Sequence, residues 1–155
     1  MQQFMPMRGH DSFYTMASGG LGYSLPASVG MALGRPGRRT VCLIGDGSAM
    51  YSIQALWTAA QRELPLTVVV INNSGYGAMR SFSQVMQVRH VPGLDLPGID
   101  FVKIAQGHGC DAVRVSKAAQ LPPALSRSLA HDGVSLIEVV VDSAAQLLYA
   151  QRGRT

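Results

Sequence analysis

The chain has 155 residues, 47% of them apolar and only 14% charged, which suits one domain with a sizeable core and argues against disorder. Its formal charge is +4, yet the basic residues are scattered apart from Arg35, Arg38, Arg39 and the Arg152/Arg154 tail. No helix pairs a basic stripe with aromatics, so a solvated surface is expected and nucleic acid is not. No apolar run reaches the roughly 18–20 residues that span a bilayer, and residues 1–10 lack the basic-then-apolar order of a signal peptide.

In chain order, a helix is expected from about Leu25 to Leu33, with Pro26 tolerated in its first turn. Thr40–Ile44 reads as a strand. Ile53, Leu56, Trp57, Ala60 and Leu64 recur at helical spacing and form an apolar stripe. Leu66–Ile71 reads as the next strand. From Asn72 to Asp100 no strand is expected, although residues 78–88 can form a helix ahead of the Gly/Pro-rich passage 91–98. A connection of that length is usually functional or disordered. Phe101, Ile104 and Ala105 begin another helix, Ala112–Val115 a strand, Leu121, Leu125 and Leu129 a third apolar stripe, and Ser135–Val141 a last strand.

The strands are near-continuous apolar runs, the pattern of strands buried on both faces of a parallel sheet. Strand and helix alternate, so the expected fold class is α/β, with a doubly wound parallel sheet flanked by helices. One domain over 1–155 is expected, with 1–11 and 143–155 as tails. Cys42 and Cys110 have no metal-ligand spacing and read as buried free thiols in a reducing, cytoplasmic setting. His10, His90, His108 and His131 are scattered without evident acid partners. Methionines more often fill core gaps than contact a substrate.

One stretch carries chemistry. In Cys42-Leu43-Ile44-Gly45-Asp46-Gly47-Ser48 a buried strand reaches the carboxyl edge of the sheet, two glycines permit a sharp turn, and a helix follows. Ligands of open α/β sheets bind at that edge, and N–H groups at a turn and helix start favour phosphate oxygens. A carboxylate there repels phosphate unless a cation lies between them. The following strand ends in Asn72-Asn73, so Asp46 and Asn73 are brought to one cleft. A carboxylate and an amide oxygen are hard ligands suited to Mg²⁺. Neither a P-loop nor a dinucleotide-binding glycine fingerprint is present.

Gly45-Asp46-Gly47-Ser48 followed downstream by Asn72-Asn73 resembles the cofactor motif of thiamine-diphosphate-dependent 2-oxoacid decarboxylases and acetolactate synthases. Ser18-Gly19-Gly20-Leu21-Gly22-Tyr23-Ser24-Leu25-Pro26-Ala27 is similar to the segment that precedes it in these enzymes. Asn72-Asn73-Ser74-Gly75-Tyr76-Gly77-Ala78-Met79-Arg80, with the 91–101 segment, most resembles benzoylformate decarboxylases. The likeness runs from about Ser12 to Asp142.

The resemblance implies a thiamine-diphosphate-binding fold, thiamine diphosphate and Mg²⁺ as cofactors, and non-oxidative decarboxylation of an aromatic 2-oxo acid to an aldehyde. It implies that the Asp46 and Asn73 side chains and the Gly75 carbonyl bind the metal. Gly47, Ser48 and Tyr76 are implied at the diphosphate, and Gly20, Gly45, Gly77 and Ala78 as further cofactor-binding residues. The Gly19 carbonyl is implied as acceptor from the cofactor's amino group, and Leu21 as the support that bends the cofactor. That bend brings the amino group to the reacting carbon, and the thiazolium then acts as electron sink as carbon dioxide leaves. Gly19 and Leu21 are thus the residues nearest the chemistry, while Ala78 and Met79 are implied in the substrate pocket.

The chain also departs from the family pattern. The likeness begins partway into the domain, so a first strand and helix are expected to be missing. The pyrimidine-binding domain is expected to be absent too. In the family that domain, from another subunit, supplies an activating glutamate. Here Glu63 lies at a helix end and Glu138 inside a strand. The expectation is a fragment, or one subunit of a split enzyme, inactive alone and homo-oligomeric. A carboligase forming acetolactate and a scaffold that has lost catalysis are the alternatives. Tyr76, Met79, Phe82 and Leu94 are expected to expose apolar surface around the cleft.

Overall fold

The computed structural model describes Gly9 and residues 11–144; the outer parts of both expected tails, with His10 and the Arg152/Arg154 pair, lie outside the described residues. The element order is α1 (Ser24–Gly34), β1 (Thr40–Gly45), α2 (Asp46–Ala49), α3 (Ala55–Gln61), β2 (Leu66–Asn72), α4 (Gly77–Val85), α5 (Phe101–Gly107), β3 (Asp111–Val115), α6 (Leu121–Ala130) and β4 (Ser135–Val140), with one 3-10 turn at Ala118–Gln120 before α6. The strands form one parallel sheet in the order β1-β2-β4-β3. This is the α/β arrangement expected from the sequence. No helix among the described residues is long and apolar enough to cross a membrane.

One face of the sheet carries the main core. Cys42, Ile44, Leu66, Val68, Val70 and Leu136 pack there with Leu25 and Val29 of α1, Leu56 and Ala59 of α3, and Phe101 and Ala105 of α5. The start of α5 is fixed by Asp100, whose side chain accepts a hydrogen bond from the Lys103 N–H at 3.1 Å, the usual device for satisfying an orphan donor in a first turn. On the other face α6 brings in a polar staple: the Ser128 hydroxyl bonds both Thr67 and Ser135. The Arg39 guanidinium donates to Thr67 and to the His131 carbonyl beside them.

Three expectations are corrected. The central strands β2 and β4 are buried on both faces, but β1 is an edge strand with only Cys42 and Ile44 inward; Val41 and Leu43 are 53% and 41% exposed. Second, Trp57 is 57% exposed and Ala59 takes the inward position on α3. A short helix whose apolar residues surround more than one face does not fix its own rotation. Third, Leu129 is exposed and Ser128 faces the sheet, because the hydroxyl finds partners in Thr67 and Ser135 that a leucine could not use.

Cys42 and Cys110 are buried free thiols, as expected. Burial pushes the Cys110 thiol up to about 11. It also raises Cys42, with a Ser28 hydrogen bond acting in the opposite direction. Since the thiolate is the nucleophile, both should resist iodoacetamide in the native chain at about pH 8 and label fully in urea. Mass spectrometry of the intact chain reads this directly, and fast native labelling would contradict it.

Candidate functional site

The three segments singled out by sequence meet at the carboxyl edge of β1 and β2. Gly45 ends β1 in extended conformation and Asp46 opens α2. The Asp46 carboxylate is 3% exposed. Its Oδ1 accepts from the Gly47 N–H at 2.8 Å and its Oδ2 from the Gly75 N–H at 2.9 Å. No cationic side chain among the described residues pairs with it. A buried carboxylate without a positive partner is costly.

Asn73 faces it from the end of β2. The amide atom of Asn73 that points into the cleft lies 2.6 Å from the Gly75 carbonyl oxygen and 3.3 Å from Asp46 Oδ1. With nitrogen in that place, the amide donates to both. With oxygen in that place, three oxygens converge with no proton between them, and a small cation is what reconciles them. One carboxylate, one amide and one carbonyl form the hard oxygen set that Mg²⁺ takes while keeping phosphate and water as further ligands. Elsewhere among the described residues no group of three or more His, Cys, Asp or Glu could hold a metal.

Glycine is required on both sides of this set. A β-carbon on Gly47 would lie 2.5 Å from Tyr76 Cε1, so the Tyr76 ring lies directly on that glycine. A β-carbon on Gly75 would run into the Arg80 guanidinium and the Leu94 carbonyl. The Tyr76 hydroxyl is held above its ordinary range by partial burial, then by a hydrogen bond with Tyr51 and the Asp46 charge. It therefore remains a neutral donor at pH 7.

The remaining residues are placed as follows. Gly19, Gly20 and Leu21 form the turn before α1. The Gly22 N–H donates to Ser48 Oγ at 2.9 Å and the Ser52 hydroxyl to the Gly22 carbonyl at 2.7 Å. That pair of bonds ties this turn to α2. Leu21 projects from it, 51% exposed. Gly77 and Ala78 start α4, which has no side-chain cap; the Gly77 N–H donates to the Gly75 carbonyl at 3.1 Å, and the Ala78 and Met79 N–H groups are left open to an acceptor. Met79 follows them on the exposed side of that turn.

The long connection after β2 is ordered by its own bonds. Gly75 and Asp95 form an isolated antiparallel bridge, the Tyr76 N–H donates to the Leu94 carbonyl at 2.9 Å, and the Leu96 N–H to the Ser74 carbonyl at 3.0 Å. Arg80 clamps it, pairing with Asp95 at 2.5 Å and donating to the Ser74 carbonyl at 3.1 Å. For this reason Tyr76 and Leu94 are half-buried, not exposed as expected; Met79 and Phe82 are exposed. Sequence reasoning gave no role to Gly22 and Arg80, although both lie in the segments that carry the resemblance, and it missed Tyr51, which lies in none of them. It also set aside Glu138, although a lone carboxylate in the run Leu136–Val140 signals a buried partner.

The profile described as thiamine pyrophosphate enzyme, C-terminal TPP binding domain, matches residues 1–139. The chain belongs to that family. Thiamine pyrophosphate enzymes similar to it include benzoylformate decarboxylase of Pseudomonas aeruginosa, 46% identical over 137 residues, which cover 88% of this chain and 26% of that protein. The crystal structure of benzoylformate decarboxylase from Polynucleobacter necessarius superposes with a TM-score of 0.91 at 39% identity, covering 96% of this chain and 29% of that one. The large subunit of acetolactate synthase isozyme 2 of Escherichia coli is 33% identical over 134 residues, 85% of this chain and 24% of that protein. The chain thus spans about a quarter of the length of the thiamine pyrophosphate enzymes it matches.

Proposed function

We propose that this chain is the diphosphate- and metal-holding part of a benzoylformate-decarboxylase-like enzyme, taking thiamine diphosphate with Mg²⁺. The observation that carries the reading is the convergence of the Asp46, Asn73 and Gly75 oxygens on one point, next to the uncapped start of α4. Asp46, Asn73 and the Gly75 carbonyl hold the cation. Gly45, Gly47, Ser48, Tyr76, Gly77 and Ala78 form the wall against the diphosphate. Because Ser48 Oγ already accepts from Gly22, its hydroxyl proton is what it offers a phosphate oxygen.

When bound, thiamine diphosphate supplies the electron sink for loss of carbon dioxide from a 2-oxo acid. The Gly19 carbonyl, Gly20 and the projecting Leu21 are placed to position its rings, and Ala78 and Met79 to line the aromatic end of the substrate. Among the described residues Glu63 follows α3 at the opposite edge of the sheet, and Glu138 is engaged inside it. Neither carboxylate reaches the cleft, so the activating acid comes from a pyrimidine-binding domain or subunit, in a homo-oligomeric assembly.

Calorimetric titration of thiamine diphosphate tests the cofactor half: binding is expected with Mg²⁺ and lost with chelator. Supplying a pyrimidine-binding partner and offering benzoylformate or pyruvate tests the rest. Benzaldehyde from benzoylformate is the expected product. Acetolactate from pyruvate would move the assignment to the synthases, whose representative matches at lower identity. No titratable binding with Mg²⁺ would remove the cofactor reading itself.

A further inference from the structure

Glu138 sits in the interior of β4, 1% exposed, where a carboxylate persists only if its lone pairs are used. Its Oε1 accepts from Asn72 Nδ2 at 2.7 Å and its Oε2 from Arg114 Nε at 2.7 Å. Arg114 also donates to the Asp100 carboxylate at 2.9 Å, the residue that caps α5. The chain of contacts therefore runs from α5 and β3 through β4 to the last residue of β2. Asn72 precedes Asn73 in sequence, so it ends next to the cation-binding turn.

The polarity of the Asn72 amide is the decisive point. A carboxylate accepts only, so Glu138 takes the amide nitrogen and leaves Asn72 Oδ1 facing the other way, where it accepts from the Ser74 N–H at 2.9 Å. Were the amide reversed, its oxygen would face the carboxylate and its NH₂ would face the Ser74 N–H. Ser74 adopts φ +57°, a left-handed conformation that a side chain other than glycine or asparagine adopts at a cost. An Asx turn of this kind supports it. Ser74 separates Asn73 from Gly75, the residues whose oxygens converge with Asp46.

We infer that Glu138 is a positioning residue for the cation site: it orients the Asn72 amide, which holds Ser74 left-handed and thereby sets Asn73 and the Gly75 carbonyl against Asp46. The inference rests on the cofactor reading above, and goes beyond it in giving a buried carboxylate away from the cleft, paired with the half-exposed Arg114, a part in metal affinity.

The test uses the whole 155-residue chain, with two readouts taken well below the melting temperature of each variant. The first is the Mg²⁺ concentration that half-saturates thiamine diphosphate binding by calorimetry. The second is hydrogen exchange at the Ser74 amide without any ligand. Glu138→Gln and Asn72→Ala are each expected to raise the Mg²⁺ midpoint about 10- to 100-fold, as removal of groups behind metal ligands does. Each should also speed Ser74 exchange by about tenfold, the loss of one hydrogen bond.

The double variant Asn72→Asp/Glu138→Gln restores complementarity. The new amide can donate to the new carboxylate while its oxygen accepts from Arg114, and the carboxylate keeps an oxygen for Ser74. Recovery of both readouts in the double variant supports positioning. A merely structural pair lowers the melting temperature and leaves both readouts unchanged, and that result, or a double variant that recovers neither, overturns the inference. If Glu138→Gln alone does not fold, Asn72→Asp, which sets two carboxylates against each other, decides by comparison with the double variant: both readouts are expected to be lost in the single variant and recovered in the double, and no difference between them overturns the inference. If the unmodified chain binds no thiamine diphosphate, the cofactor reading has failed; the Ser74 readout still decides whether Glu138 positions the turn.

Discussion

Asp46→Ala lowers Mg²⁺-dependent affinity for thiamine diphosphate by about 100-fold or more, since a charged ligand is lost together with its hydrogen bonds. Asp46 does two jobs at once. It is the only carboxylate in the converging oxygen set, and its two oxygens also receive the Gly47 and Gly75 N–H groups. Removing it takes away the charge that draws the cation and leaves two donors beside β1 and β2 without an acceptor. A stability loss of about 1–3 kcal/mol therefore accompanies the loss of binding. Asp46→Asn separates the two effects: the amide oxygen can keep one N–H while the charge is gone, so binding falls with a smaller stability loss. Calorimetric titration with and without Mg²⁺, paired with urea unfolding, reads both. If Asp46→Ala retained the Mg²⁺ dependence of the unmodified chain, the metal would have to lie elsewhere.

Phe101→Ala costs about 3–5 kcal/mol of folding stability. Phe101 is completely buried at the start of α5, where it belongs to the cluster formed with β2, β4 and the helices on that face. Truncation there opens a cavity between a helix and the sheet, with neighbours on rigid strands that cannot collapse into it. Trp57→Ala is the matching control, a larger deletion from an exposed position, expected to change stability by about 0.5 kcal/mol or less. Urea midpoints by circular dichroism compare the two. Equal losses would contradict the placement of the core.

All four strands were legible in the sequence to within a residue at each end, because continuous β-branched runs bounded by Gly, Pro and Asn leave few alternatives. The pairing of Asp46 with Asn73 was legible for a related reason: once two strands are parallel neighbours, their carboxyl ends open on the same cleft. What the sequence did not carry is what depends on covering surfaces. Val41 and Leu43 are as apolar as the residues of β2, and only the position of β1 at the sheet edge exposes them. The rotation of α3, which turns Trp57 outward, follows from packing against α1. The role of Glu138 was hidden differently, since its partners Asn72 and Arg114 are distant in the chain and no local pattern links them. The ordering of the long connection by Arg80 and Asp95 is equally non-local.

The oxygen set of Asp46, Asn73 and Gly75 comes from two stretches of chain that approach only when β1 and β2 pair. An unfolded chain has no such concentration of oxygens, so any ion or diphosphate held there binds the native state alone. Occupancy then acts as a fastener across the β1–β2 seam, adding about 2.7 kcal/mol when free ligand stands at 100 times its dissociation constant. On the proposed reading, the supply of cofactor would thereby set what fraction of this domain stays folded.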